Sequence, residues 1–162
     1  MELRQKVFDC LDRLDITYEL VEHPAVYTIE EMDALNIDDK NEVVKNLFVR
    51  DEKKKRYFLI VLQKDKRANL KELRKQLCCK PLSFASEADL GSYLGLTKGA
   101  VTPLGVLNDE TLSVEVVIDR DILKFDRMGV HPNDNTATVW LRPRDLVTII
   151  QKHGNGITYI EL

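Results

Sequence analysis

Residues 47–62 read LFVRDEKKKRYFLIVL, two apolar runs on either side of a charged turn. Two β-favouring runs joined by a short polar loop predict an antiparallel hairpin, with the first strand reaching back through KNLFVR at 45–50. YFLIVL at 57–62 has no polar alternation, so it is expected as a central strand covered on both faces. Working outward, further β-rich runs are ITYELV at 16–21, LSVEVVI at 112–118, TATVWL at 136–141 and ITYIEL at 157–162. Leu3, Val7, Leu11 and Leu14 recur at helical spacing and predict a helix over 2–14. Thr28 with Glu31 reads as a capping box for a helix to about Leu35, and Asn69 with Glu72 repeats it for a helix to about Leu77. Ser86 opens another that stops near Gly95; Pro143 opens the last, and Gly154 closes it. Strands and helices mix without strict βα alternation. The expected class is therefore α+β, a central mixed, largely antiparallel sheet flanked by helices.

The chain has 162 residues, 44% of them hydrophobic and 31% charged, with only 12 Gly plus Pro. That composition excludes low-complexity, collagen-like and coiled-coil chains. No repeat or linker divides it, so residues 1–162 are expected to form one domain. No apolar run approaches the ~18–20 residues of a membrane span. The acidic N-terminal stretch MELRQKVFDCLDRLD does not read as a signal peptide. Three cysteines, Cys10 and the adjacent Cys78 and Cys79, fit a reducing cytoplasm better than a disulfide framework or a zinc site. The net charge of −3 conceals an asymmetry. Between Lys40 and Lys80 there are 14 Lys/Arg against 5 Asp/Glu, a local balance of +9 in an otherwise acidic protein. Such a segment is either a local polyanion footprint or a pair of solvated lysine-rich surface elements. The overall acidity excludes a general, sequence-blind nucleic-acid binder, DNA included.

Three polar segments stand where neither a core nor a turn requires them. Lys45-Asn46 begins a strand directly before Leu47-Phe48-Val49. The lysine either snorkels past the sheet edge or is a cation at a cleft mouth, able to hold a phosphate or an ester carbonyl. Lys98-Gly99-Ala100-Val101-Thr102-Pro103-Leu104-Gly105 is either a tight turn or a loop aiming successive backbone N–H groups at a carbonyl, oxyanion or water. His131-Pro132-Asn133-Asp134-Asn135-Thr136 is a turn whose histidine is either merely exposed or able to orient a substrate amine or hydroxyl. His23-Pro24 is structural unless it faces the same cleft, and His153 fits the favourable end of a helix dipole. The chain contains no HExxH, Cys/His cluster, GxSxG, Walker or GxGxxG motif, so neither a metal nor a nucleotide cofactor is indicated.

Taken in order, EHPAVYTIEEM (22–32), VVKNLFVRD (43–51), GAVTPLGVLND (99–109) and HPNDNTATVW (131–140) resemble the YbaK/prolyl-tRNA-synthetase-associated family, specifically its freestanding ProX/PrdX branch of prolyl-tRNA editing proteins. The resemblance implies that family's curved sheet and a cofactor-free deacylase of mischarged aminoacyl-tRNA. HPNDNTAT at 131–138 favours the branch that clears Ala-tRNA(Pro) while sparing Pro-tRNA(Pro). It places the family's functional lysine on Lys45 with Asn46 beside it. Its GxxxP loop falls on Gly99, Ala100, Val101, Thr102 and Pro103, and its HP–N segment on His131 and Asn135. Lys45, Gly99 and His131 are then the expected catalytic residues, and the others bind substrate. Lys53, Lys54, Lys55 and Arg56 are candidate contacts to the acceptor stem of tRNA(Pro), with prolyl-tRNA synthetase a candidate protein partner. Two alternatives stand beside this: the same chemistry on Cys-, Ser- or Thr-charged tRNA, and a non-catalytic module sensing tRNA or amino acid.

Overall fold

The computed structural model describes residues 3–24, 44–97, 100–133 and 136–161. The expected hairpin is its framework: β2 (Val44–Asp51) and β3 (Tyr57–Gln63) pair antiparallel from Val44↔Gln63 to Arg50↔Tyr57. Asp51 holds the turn together, its carboxylate accepting from the backbone N–H groups of Lys55 (2.8 Å) and Arg56 (3.3 Å). β3 takes the central place expected of it. It lies between β2 and β5 (Val114–Asp119) in a five-stranded sheet ordered β4-β2-β3-β5-β8, where β4 is Leu82–Phe84 and β8 is Ile157–Ile160. β5 runs parallel to both β3 and β8.

The two faces of β3 feed two apolar clusters. Tyr57, Leu59 and Val61 join the larger one with Val7 and Leu11 of helix α1 (Leu3–Arg13), Leu90 and Leu94 of α3 (Glu87–Leu94), and Leu146, Ile149 and Ile150 of α4 (Pro143–His153). Phe58, Ile60 and Leu62 face Leu73 of α2 (Leu70–Leu77) in the smaller one. The helices begin and end as expected from their caps. Asn69 accepts from the N–H groups of Lys71 and Glu72, Ser86 accepts from that of Asp89, and Gly95 and Gly154 close their helices in the left-handed region. Cys78 closes α2 at φ 52°. The proposed helix after Thr28 lies outside the described residues.

The strands divide between two sheets. β1 (Glu19–Glu22), β7 (Ala137–Leu141) and β6 (Met128–Val130) form an antiparallel sheet of three, ordered β1-β7-β6. Its apolar residues Met128, Val130, Val139 and Leu141 pack into the larger cluster. β4, β6 and the 3-10 segments Pro103–Asn108 and Arg120–Lys124 are elements the sequence pattern did not disclose. Among the described residues no helix is long and apolar enough to cross a membrane.

Candidate active site

The beginning of β2, the loop before the first 3-10 segment and the turn after β6 meet at one edge of the fold. Asn46 lies opposite Val61 in the hairpin and so faces the larger cluster. Its amide nitrogen donates to the carbonyl of Val101 at 3.3 Å. Only the NH2 group can donate to a carbonyl, so the orientation is fixed, and the buried Oδ1 is left without a hydrogen-bond partner. Thr102 is fully buried, and its hydroxyl donates to the carbonyl of His131 at 2.6 Å while accepting from the N–H of Leu104 at 3.3 Å. His131 in turn donates from Nδ1 to the carbonyl of Ala137 at 2.9 Å, which makes Nε2 the acceptor in the neutral ring. Two side-chain hydrogen bonds thus tie three segments that are far apart in sequence, from Asn46 to His131, into one constellation.

The loop's own backbone is partly consumed. The N–H of Ala100 bonds Thr97 O, that of Gly105 bonds Thr102 O, and Pro103 has none. Among the described residues, the amides of Val101 and Thr102 make no backbone hydrogen bond. Thr102 and Pro103 are buried, so their side chains shape the loop. Gly99 and Asn135 lie outside the described residues.

Lys45 goes elsewhere. It pairs with Leu62, which belongs to the smaller cluster, so Lys45 and Asn46 project from opposite faces of β2. The Lys45 ammonium donates to the carbonyl of Lys66 at 3.2 Å, in the turn between β3 and α2. The basic hairpin tip is further off again. Lys53, Lys54 and Lys55 are exposed, but Asp51 already lies six positions along the strand from Lys45, about 20 Å. Arg56 is committed: it forms a two-pronged ion pair with Glu115, both contacts 2.9 Å, and its guanidinium lies 4.9 Å from the Phe58 ring centre.

His23 lies beside His131. Its ring centre is 6.2 Å from that of His131. Nδ1 donates to Pro24 O at 2.8 Å, and Nε2 pairs with the Thr138 hydroxyl at 2.9 Å. The repeated His-Pro dipeptide, at 23–24 and 131–132, was the available sign that both belong to one site.

A family model for the aminoacyl-tRNA editing domain matches residues 23–149, a span that contains all of these segments. The chain belongs to the aminoacyl-tRNA editing domain family. It is 49% identical over 162 residues to the prolyl-tRNA editing protein ProX of Acetoanaerobium sticklandii, covering 100% of this chain and 99% of that one. It is also 37% identical to the prolyl-tRNA synthetase associated domain-containing protein 1 of Bos taurus, covering 95% and 92%. Its fold matches a solved candidate trans-editing enzyme for prolyl tRNA synthetase, with TM-score 0.75, 20% identity, and 100% and 98% of the two chains covered. The constellation offers an unpartnered amide oxygen on Asn46 and an imidazole oriented by its bond to Ala137 O.

Proposed function

We propose that this editing domain acts in trans as an aminoacyl-tRNA deacylase that hydrolyses Ala-tRNA(Pro) to alanine and free tRNA while sparing Pro-tRNA(Pro). The observation that carries the proposal is the joining of Asn46, the 100–103 loop and His131 by the Asn46–Val101 and Thr102–His131 hydrogen bonds. The amides of Val101 and Thr102 receive the ester carbonyl oxygen, whose charge grows as water adds to the carbon. The partnerless Oδ1 of Asn46 accepts from the substrate's α-ammonium, satisfying a buried group that is otherwise costly. His131 and Asn135 bound the amino-acid pocket. The C–O bond to the terminal ribose breaks, and the proton lost by the attacking water passes to the departing ribose oxygen, aided by the neighbouring hydroxyl. An aminoacyl ester is labile, so positioning and charge stabilisation suffice without a covalent nucleophile.

The opposed faces of Lys45 and Asn46 favour one of the two roles open to the lysine. Side chains leaving a strand on opposite sides end roughly 10 Å apart, comparable to the separation of stacked layers. That suits a terminal adenosine whose phosphate meets Lys45 while its acyl group lies by Asn46 and His131. Lys53, Lys54 and Lys55, about 20 Å further along the hairpin, then face the acceptor stem. Alanine is selected by size, because a synthetase pocket shaped for proline rejects a smaller side chain by only ~1–3 kcal/mol per missing methylene. A small second pocket reverses that order by refusing the ring. Prolyl-tRNA synthetase is the source of the substrate, in the cytoplasm, and meets this protein through the tRNA it releases.

The test is deacylation of Ala-, Cys-, Ser- and Pro-tRNA(Pro) by the purified protein and by Lys45→Ala, with a chelator present. The expected result is rapid release of alanine alone, with binding weakened in the variant and turnover still measurable at high tRNA concentration. Turnover of no ester would leave a binding module, and turnover of cysteine or serine in preference to alanine would move the specificity.

A further inference from the structure

We infer that Asp119 is a positioning residue for Lys45, acting through Lys66; the inference rests on the role proposed above for Lys45. Asp119 ends β5 and is fully buried. Its carboxylate accepts from the N–H of Gln63 at 3.2 Å, from the N–H of Asp121 at 3.1 Å and from the Lys66 ammonium at 3.0 Å. Lys66 also bonds the Asp121 carboxylate at 2.6 Å, and its own N–H donates to Gln63 O at 3.0 Å. The turn after β3 is therefore tied at its amide and its ammonium. The Lys45 ammonium donates to the carbonyl of the same Lys66, at 3.2 Å.

A buried Lys–Asp pair adds little to stability compared with apolar residues of the same volume, which leaves it open to another role. Here it neutralises one lysine of a basic segment and uses that lysine's backbone to hold a second. An ammonium has three N–H groups. With one fixed on Lys66 O, the rotor of Lys45 is set before substrate arrives and two N–H groups remain for a phosphate. Ordering the long side chain in advance removes a cost otherwise charged against binding. Nothing in the local sequence of KNLF or VVIDRD links them; only the parallel pairing of β3 with β5 brings Asp119 to the Lys45 end of the hairpin.

The experiment is a double-mutant cycle on Ala-tRNA(Pro) deacylation, with KM and kcat measured separately for wild type, Asp119→Asn, Lys45→Ala and the double variant. Asp119→Asn is expected to raise KM about fivefold with kcat within about twofold, and to add nothing in the Lys45→Ala background. If its full effect persists without Lys45, or if KM is unchanged in the folded variant, Asp119 is a structural residue and the inference fails. If Lys45→Ala alone leaves KM and kcat unchanged, the Lys45 assignment fails and takes the inference with it. Should Asp119→Asn not fold, Lys66→Met answers the same question in the same cycle. Lys66→Arg, which keeps the cation and the carbonyl, is expected to retain the wild-type KM, and loss of binding there would equally overturn the inference.

Discussion

Replacing Thr102 by Val removes one oxygen from the centre of the site and almost nothing else. Thr102 is extended, at φ −149° and ψ 145°, a conformation valine favours, so the backbone is not strained. The lost hydroxyl removes one bond to the carbonyl of His131 and one from the N–H of Leu104. A stranded buried group costs ~1–3 kcal/mol, and a lost cap about 1 kcal/mol. Because both losses arise from one atom they overlap, and about 2–3 kcal/mol is expected in all. In a protein of this size that lowers Tm by about 5–10 °C. Thermal unfolding checks the stability, and single-turnover deacylation checks whether the tie to His131 matters to catalysis. Thr102→Ser, which keeps the hydroxyl, should recover most of both. If Thr102→Val unfolds within about 2 °C of wild type, the hydrogen bonds do not hold the loop to the His131 turn. If stability falls but the single-turnover rate is unchanged, the tie is structural and His131 is not positioned by it.

Gly129 faces Trp140 across the β6–β7 pair, and a Cβ there would lie 2.9 Å from two indole carbons and from the Thr138 methyl. Gly129→Ala should therefore destabilise by about 1–3 kcal/mol through overpacking, with a change in emission from the sole tryptophan; unchanged emission and Tm would contradict it. Neutralising Lys53, Lys54 and Lys55 to Gln should weaken tRNA binding and flatten its log–log salt slope by about two units, leaving kcat at saturation unaltered. A salt slope equal to wild type would show that the hairpin tip does not touch RNA. Burial pushes the Asp51 carboxyl up, but the N–H groups of Lys55 and Arg56 outweigh it and hold its pKa below the usual carboxylate range. The depressed folded value means this contribution is present above about pH 4 and lost as pH falls through the folded pKa. Asp51→Asn should thus cost stability at pH 7 by denaturant titration, with the gap from wild type closing below about pH 4. A gap independent of pH would place the effect elsewhere.

Much of the fold was legible because its signals are local. Asn69, Ser86, Gly95, Pro143 and Gly154 mark helix ends through contacts within four residues. The unbroken apolar run of YFLIVL announces a strand covered on both sides whatever covers it. The order of the KNLF, GAVTP and HPNDN segments likewise named the family without any knowledge of their arrangement. β4 and β6 were not legible, since three residues of strand carry no period. The opposed directions of Lys45 and Asn46 were available from strand alternation, but grouping them by motif hid it.

What only tertiary structure decided is which distant segments meet. TATVWL and YFLIVL look alike as strands, yet the first joins the sheet of three and the second the sheet of five. Pairing depends on the shape of the whole core, to which no window of sequence has access. The same long-range packing set His23 beside His131, placed Thr102 under the His131 carbonyl and brought Asp119 to Lys66. The sequence by itself determined most of the elements and the residues with chemistry to offer. The direction and company of each side chain came from register and packing, because hydrogen bonds act over about 3 Å whereas the residues they join stand tens of positions apart.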